Sequence, residues 1–180
     1  MIEMNKDAET LVRIAKLYKE IMNELGIGET DDNKETPLRV AKSLFEMTDS
    51  VRDISWGKDL EAKCTTFVNR APLVLLEQDD IEFSSMCSHH HLPFFGKVKI
   101  TYIAGKRIIG LSKFNRVVEY YSKFPQVQED MTVQIAEYLF NLLLPKYLRV
   151  EIYDCQHTCM CSRGVKSRAK TSTVIEFGER

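Results

Sequence analysis

The chain has 180 residues, 44% of them hydrophobic, with 25 basic against 26 acidic side chains and a formal net charge of −1. That length supplies one real core, and so even a charge balance excludes a protein that grips nucleic acid through a global basic field. No run approaches the roughly 18 apolar residues of a membrane span, and the polar stretch from Met1 to Glu9 lacks signal-peptide character. Five cysteines, an odd number, then point to a reducing, cytoplasmic setting, where clustered Cys and His mean metal rather than disulfides. Cys64 stands apart from the others and reads as a small buried hydrophobe.

In chain order, Leu11, Ile14, Ala15, Tyr18, Ile21, Met22 and Leu25 recur at helical spacing, with Asp7 as N-cap and Gly26 past the end. Gly28 to Glu35 is a polar linker. Thr36-Pro37 opens a second helix as cap and first-turn proline, with Val40, Ala41, Leu44 and Phe45 on one face. These helices form an N-terminal segment, residues 1–50, ahead of a domain over 51–180. Beyond Trp56 the texture turns towards strands. Val98, Ile100 and Tyr102 alternate with Lys97, Lys99 and Thr101, which predicts a half-buried strand. Ala104-Gly105-Lys106 reads as a hairpin turn into a strand from Arg107 to Leu111. Ser112 caps a helix carrying Phe114, Val117, Val118 and Tyr121, and Pro125 stops it. A longer helix from Gln128 to Leu144 presents Met131, Ile135, Leu139 and Leu142. Leu148, Val150 and Ile152 alternate again, and Thr171 to Phe177 makes a last strand. Segregated helices and strands imply an α+β fold with an antiparallel sheet.

Chemistry concentrates in Cys87-Ser88-His89-His90, answered about seventy positions later by His157-Thr158-Cys159. Thiolate sulfur and neutral imidazole nitrogen are ligands that Zn²⁺ prefers. The gap of two between Cys87 and His90 lets one turn present both to a single ion, and Cys159 adds a third bond. Three protein ligands leave a position open, as in catalytic zinc sites, and keep His89 and His157 free to move protons. A closed structural site drawing four ligands from Cys87, His89, His90, His157 and Cys159 satisfies the same spacing.

A second set of residues is polar and lies near element ends. Lys113 and Arg116 share a helix face beside that helix's positive N-terminus, which suits phosphate. Arg39 and Lys42 repeat the spacing after Thr36-Pro37. Arg163-Gly164 begins a basic loop through Lys166, Arg168 and Lys170. Gln128-Glu129 sets an amide beside a carboxylate at a helix start. Each pair taken alone is equally well a solvated surface or a compensated helix dipole.

Taken together and in order, the motifs resemble the GTP cyclohydrolase I family, which converts GTP to dihydroneopterin triphosphate and formate. The residues that carry the resemblance are Thr36-Pro37-Leu38-Arg39-Val40-Ala41-Lys42, Cys87-Ser88-His89-His90, Leu92-Pro93-Phe94-Phe95-Gly96-Lys97, Gly110-Leu111-Ser112-Lys113, Gln126-Val127-Gln128-Glu129, and His157-Thr158-Cys159 leading to Arg163-Gly164. The resemblance implies zinc ligands at Cys87, His90 and Cys159 and proton-transfer histidines at His89 and His157. It implies guanine recognition by Glu129 with Gln128 beside it, and Ser112 near the ribose among the catalytic residues. Lys113, Arg116 and Arg163 match triphosphate contacts; Arg39 and Lys42 match further ones taken from an adjacent subunit. The fold implied is the tunnelling fold, an antiparallel sheet with helices on one face, assembled as a homodecamer. The activity implied is the first step of a folate, other pterin or 7-deazaguanine pathway. Two positions depart from the family pattern: Ser88 stands where Glu is usual, and Asp130 where Arg is usual.

Overall fold

The computed structural model describes residues 2–52, 60 and 62–179, with the side chains of residues 2–6 and 52 outside the description. The chain divides into two compact units, residues 1–48 and 49–180. In the first, α1 (Ile2–Glu24) packs against α2 (Thr36–Met47). Gly26 takes φ +69°, the left-handed turn that ends a helix at little cost to glycine, and its N–H reaches Asn23 O at 2.9 Å. The intervening loop is not merely polar: Asn33 accepts from Thr30 N at 2.8 Å and donates to Gly28 O at 2.8 Å. Two expected caps fall differently. Thr36 is the first helical residue rather than the cap, with Pro37 in the first turn, and α1 already begins at Ile2, ahead of Asp7.

The second unit comprises α3 (Asp49–Arg52), β1 (Thr66–Val68), β2 (Leu75–Cys87), β3 (Pro93–Ile103), β4 (Arg107–Ile109), α4 (Ser112–Ser122), β5 (Pro125–Gln126), α5 (Gln128–Leu143), β6 (Tyr147–His157), α6 (Thr158–Cys161) and β7 (Thr171–Gly178). Among the described residues, five strands join in the order β5-β2-β3-β6-β7. The α+β expectation holds. The sheet is mixed, however, not purely antiparallel: β5 runs parallel to β2 through Met86–Pro125 and Cys87–Gln126. The expected hairpin is also corrected, because β4 leaves β3 and pairs with β1 in a separate two-stranded ribbon. Ser112 starts α4 and makes no capping bond, Leu111 being the residue before it.

One face of the sheet is apolar. Ile81, Phe83, Phe94, Val98, Ile100, Tyr102, Leu148, Val150 and Ile152 join Phe114, Val117 and Val118 of α4 and Met131, Ile135, Ala136 and Leu139 of α5 in a single buried cluster. Each large side chain there contributes about 1.5–3 kcal/mol on burial. The other face is charged, with Arg149 bonded to Glu176 at 2.6 Å and to Glu151 at 3.0 Å.

Two β-bulges carry the site residues to the apolar side. In β2 the register jumps between Gln78 and Ile81, with Asp80 at φ +55°. Thereafter Ile81, Phe83, Ser85 and Cys87 are all buried. In β6 the jump falls between Ile152 and Cys155, with Asp154 at φ +52°. That extra residue flips the strand's phase, so Cys155 and His157 follow Ile152 inwards. Gly96 lies opposite this bulge, and a Cβ there would sit 2.9 Å from Cys155 Cα and 3.0 Å from Tyr153 O. Only a residue without a side chain lets the two strands approach so closely.

Candidate metal centre and its cleft

Cys87 ends β2, and the chain then folds back at once. His91 N–H donates to Cys87 O at 2.8 Å and Cys87 N–H to Leu92 O at 2.9 Å, with His91 closing the turn at φ +51°. This turn swings His89 Nδ1 to 3.9 Å and His90 Nδ1 to 3.8 Å from Cys87 Sγ. Ser88 N–H donates to Gln126 O at 3.0 Å, which ties the turn to the strand leading into α5.

Cys159 arrives on α6, a single turn held by its own polar side chains. Thr158 Oγ1 donates to Pro93 O at 2.5 Å, Ser162 Oγ to Thr158 O at 2.6 Å and Cys161 Sγ to His157 O at 3.1 Å. The ligand atoms of Cys87, His90 and Cys159 all lie within 4.8 Å of one another. Zinc bonds of about 2.0–2.3 Å put the edge of a tetrahedron at roughly 3.6 Å, close to the Cys87–His90 separation. Burial, then the facing Cys87 thiol, pushes the Cys159 thiol up from its ordinary value. A divalent cation would relieve that repulsion, so the donor set fits zinc.

These residues line a cleft of about 320 Å³ together with His89, Gln126, Val127, Gln128, Glu129, His157, Met160, Thr171, Ser172 and Thr173. His157 stacks on Phe94 with ring centroids 4.6 Å apart and planes 6° from parallel. Its Nε2 lies 3.0 Å from Gln128 Oε1. Burial pulls the His157 imidazole below its ordinary value, while the nearby Glu129 carboxylate opposes the shift. Burial likewise raises the Cys155 thiol, to about 11, so Cys155 stays protonated beside the cleft. A depression of about 460 Å³ on the charged face of the sheet has no thiol or imidazole in its lining.

The predicted residues therefore divide. Cys87, His89, His90, Gln128, Glu129, His157 and Cys159 share the cleft, whereas Ser112, Lys113, Arg116 and Arg163 do not line it. Arg39 and Lys42 are exposed on α2, in the other compact unit. Ser88 is half-buried, and Asp130 is exposed in the first turn of α5. Thr171, Ser172 and Thr173 escaped the sequence reading, where their threonines registered only as strand formers. Their signal was a hydroxyl at three successive positions.

An α+β fold with two thiols, three imidazoles and a helix-borne carboxylate around one cleft defines a candidate metal-dependent class of protein. The family model of GTP cyclohydrolase I matches residues 14–179, and the chain belongs to that family. It is 39% identical over 176 residues to GTP cyclohydrolase 1 of Flavobacterium johnsoniae, covering 96% of this chain and 76% of the relative. The homonymous protein of Sulfolobus acidocaldarius is 41% identical over 177 residues, covering 93% and 82%. That of Porphyromonas gingivalis is 37% identical over 183 residues, covering 98% and 89%.

Proposed function

We propose that this protein is a zinc-dependent GTP cyclohydrolase that hydrolyses and rearranges GTP to 7,8-dihydroneopterin triphosphate with release of formate. The observation that carries the reading is the convergence of Cys87, His90 and Cys159 in one cleft with His89, His157 and Glu129. In the proposal Cys87, His90 and Cys159 hold the ion. When bound, zinc supplies the Lewis acidity that makes water a competent nucleophile near neutral pH.

The rest of the work falls to side chains. The carboxylate of Glu129 accepts from N1–H and the 2-amino group of guanine and so selects against adenine, which would leave it without donors. Gln128 flanks it. His157 or His89 delivers a proton to N7, which withdraws electron density from C8 and opens it to attack. Ser112 is assigned to the ribose. The triphosphate stays attached throughout and acts as a handle whose binding energy positions the purine.

The cations for that handle are Lys113, Arg116, Arg163, Arg39 and Lys42. Lys113, Arg116 and Arg163 are assigned to the triphosphate itself, and Arg39 and Lys42, exposed on α2, to the triphosphate of a neighbouring copy, so a homo-oligomer is part of the proposal. A homodecamer with the tunnelling fold is the assembly proposed, with residues 51–180 as the catalytic domain and 1–50 as a helical segment. Five free cysteines suit a cytoplasmic protein, and among the described residues no helix is long and apolar enough to cross a membrane. The reaction would begin a folate, other pterin or 7-deazaguanine route. Incubation with GTP, followed by assay of formate and of the fluorescent oxidised pterin, tests the proposal. Both products are expected; GTP left intact by zinc-loaded protein would overturn it.

A further inference from the structure

We infer that Thr132 and Thr173 are positioning residues, a pair of hydroxyls that act through Gln128 to hold His157 as its Nε2–H tautomer. Thr132 has one hydroxyl proton, and its Oγ1 lies 2.8 Å from Gln128 O, a carbonyl that can only accept. The 2.6 Å contact between Thr132 Oγ1 and Thr173 Oγ1 must then be made with the proton of Thr173. Having spent it, Thr173 Oγ1 can only accept from the Gln128 side chain 3.2 Å away, so the amide nitrogen faces it. Oε1 is left on the opposite side. There Thr171 Oγ1 donates to it at 2.6 Å.

His157 Nε2 approaches the same oxygen at 3.0 Å and must therefore carry hydrogen. Cys155 Sγ lies 3.6 Å from that nitrogen. Donation from its thiol to a lone pair on Nε2 is excluded, because that lone pair would also face the lone pairs of Oε1. The chain is buried where it is set: Thr132 is 2% and Gln128 4% exposed, and an unmatched donor or acceptor there costs about 1–3 kcal/mol. Phe94, fully buried, fixes the plane of the ring on which the chain ends.

With Nε2–H committed to Gln128 and the ring stacked on Phe94, His157 is held in one orientation, and the neutral ring keeps its lone pair on Nδ1. The effect of that orientation on turnover rests on the cyclohydrolase activity proposed above; the tautomer rests on the hydrogen bonds alone. Histidine labelled with ¹³C and ¹⁵N, read by solid-state NMR in the zinc-loaded full chain, tests it, with His157 assigned by the signals that His157→Asn removes. The wild-type protein is expected to show one neutral tautomer, protonated at Nε2. Thr132→Val releases the Thr173 proton towards Gln128 and lets the amide turn over. Both tautomers should then appear, and kcat should fall about tenfold, part of the roughly 100-fold or more that acid–base catalysis supplies, with KM little changed. Thr132→Ser should restore the single tautomer and kcat.

A wild-type His157 protonated at Nδ1 overturns the inference, even where Thr132→Val fails to fold. So does a folded Thr132→Val that keeps pure Nε2–H, whatever its kcat. Wild-type protein that releases no formate from GTP would remove the catalytic consequence and leave the tautomer to be judged from the spectrum.

Discussion

Replacing Gly96 by alanine presses on the contact that aims His157 into the cleft. The added Cβ would meet Cys155 Cα at 2.9 Å, Tyr153 O at 3.0 Å and Cys155 Cβ at 3.2 Å. Two of these are backbone atoms of the β6 bulge, so no side chain can swing away and one strand must move. Overpacking of this kind costs about 1–3 kcal/mol. At roughly 2–4 °C per kcal/mol for a chain of this size, a cost of about 2 kcal/mol lowers Tm by about 4–8 °C. The displaced segment contains Cys155 and ends at His157, and a shift of about 1 Å in a catalytic group can cost on the order of 100-fold in rate. Gly96→Ala is therefore expected to lose at least about tenfold in kcat on GTP. Gly28→Ala is the control, since nothing lies within 4 Å of a Cβ there. Thermal melting and steady-state pterin formation read both effects. Wild-type Tm and kcat in Gly96→Ala would show that the bulge yields freely and does not hold His157.

Cys159→Ala should abolish activity by losing the metal, and full zinc occupancy by elemental analysis in that variant would remove Cys159 from the ligand set. Glu129→Gln is expected to lower kcat/KM for GTP by about tenfold to 100-fold, because charge-assisted bonds of about 1.5–3 kcal/mol each are lost while zinc content stays unchanged. If Glu129→Gln keeps its kcat/KM and Asp130→Asn loses it, guanine recognition belongs to Asp130. On the charged face, hydrogen bonds chiefly from Tyr153 to Asp79 and from Lys97 to Asp80 hold both carboxyls below their usual 3.8. Depressed folded values mean stability that is present above about pH 4 and lost as pH falls through them. Tyr153→Phe should thus lower Tm at about pH 6 but converge on wild type in strong acid, and an equal Tm difference at both pH values would contradict the linkage.

How much of this was legible in the sequence depends on how each element keeps its period. The helices α4 and α5 keep a 3.6-residue rhythm through Phe114, Val117 and Val118 and through Met131, Ile135 and Leu139, so they stood out. Strand β2 did not, because the bulge at Asp79 and Asp80 breaks its alternation halfway and leaves two half-patterns too short to recognise. The bulge in β6 likewise hides Cys155 behind a change of phase after Ile152, whereas His157 was readable from its place beside Cys159. Strand β4 is legible as a strand but not in its pairing, for another reason. Ala104-Gly105-Lys106 does turn the chain, but local turn chemistry says nothing about whether the next strand pairs with β3 or with the distant β1. Cys87, His90 and Cys159 were readable because thiols and imidazoles are scarce and carry chemistry in their identity. Thr132, Thr171 and Thr173 were not, since threonine is common in strands and helices and gains meaning only when its single proton is tracked in three dimensions.

Metal-free protein titrated with zinc while formate release from GTP is followed bears on the central claim most directly. Formate production is expected to rise from zero to a break at one zinc per chain, with one pterin formed for each formate. Formate release independent of zinc, or one zinc bound per chain with no formate at all, would contradict the assignment.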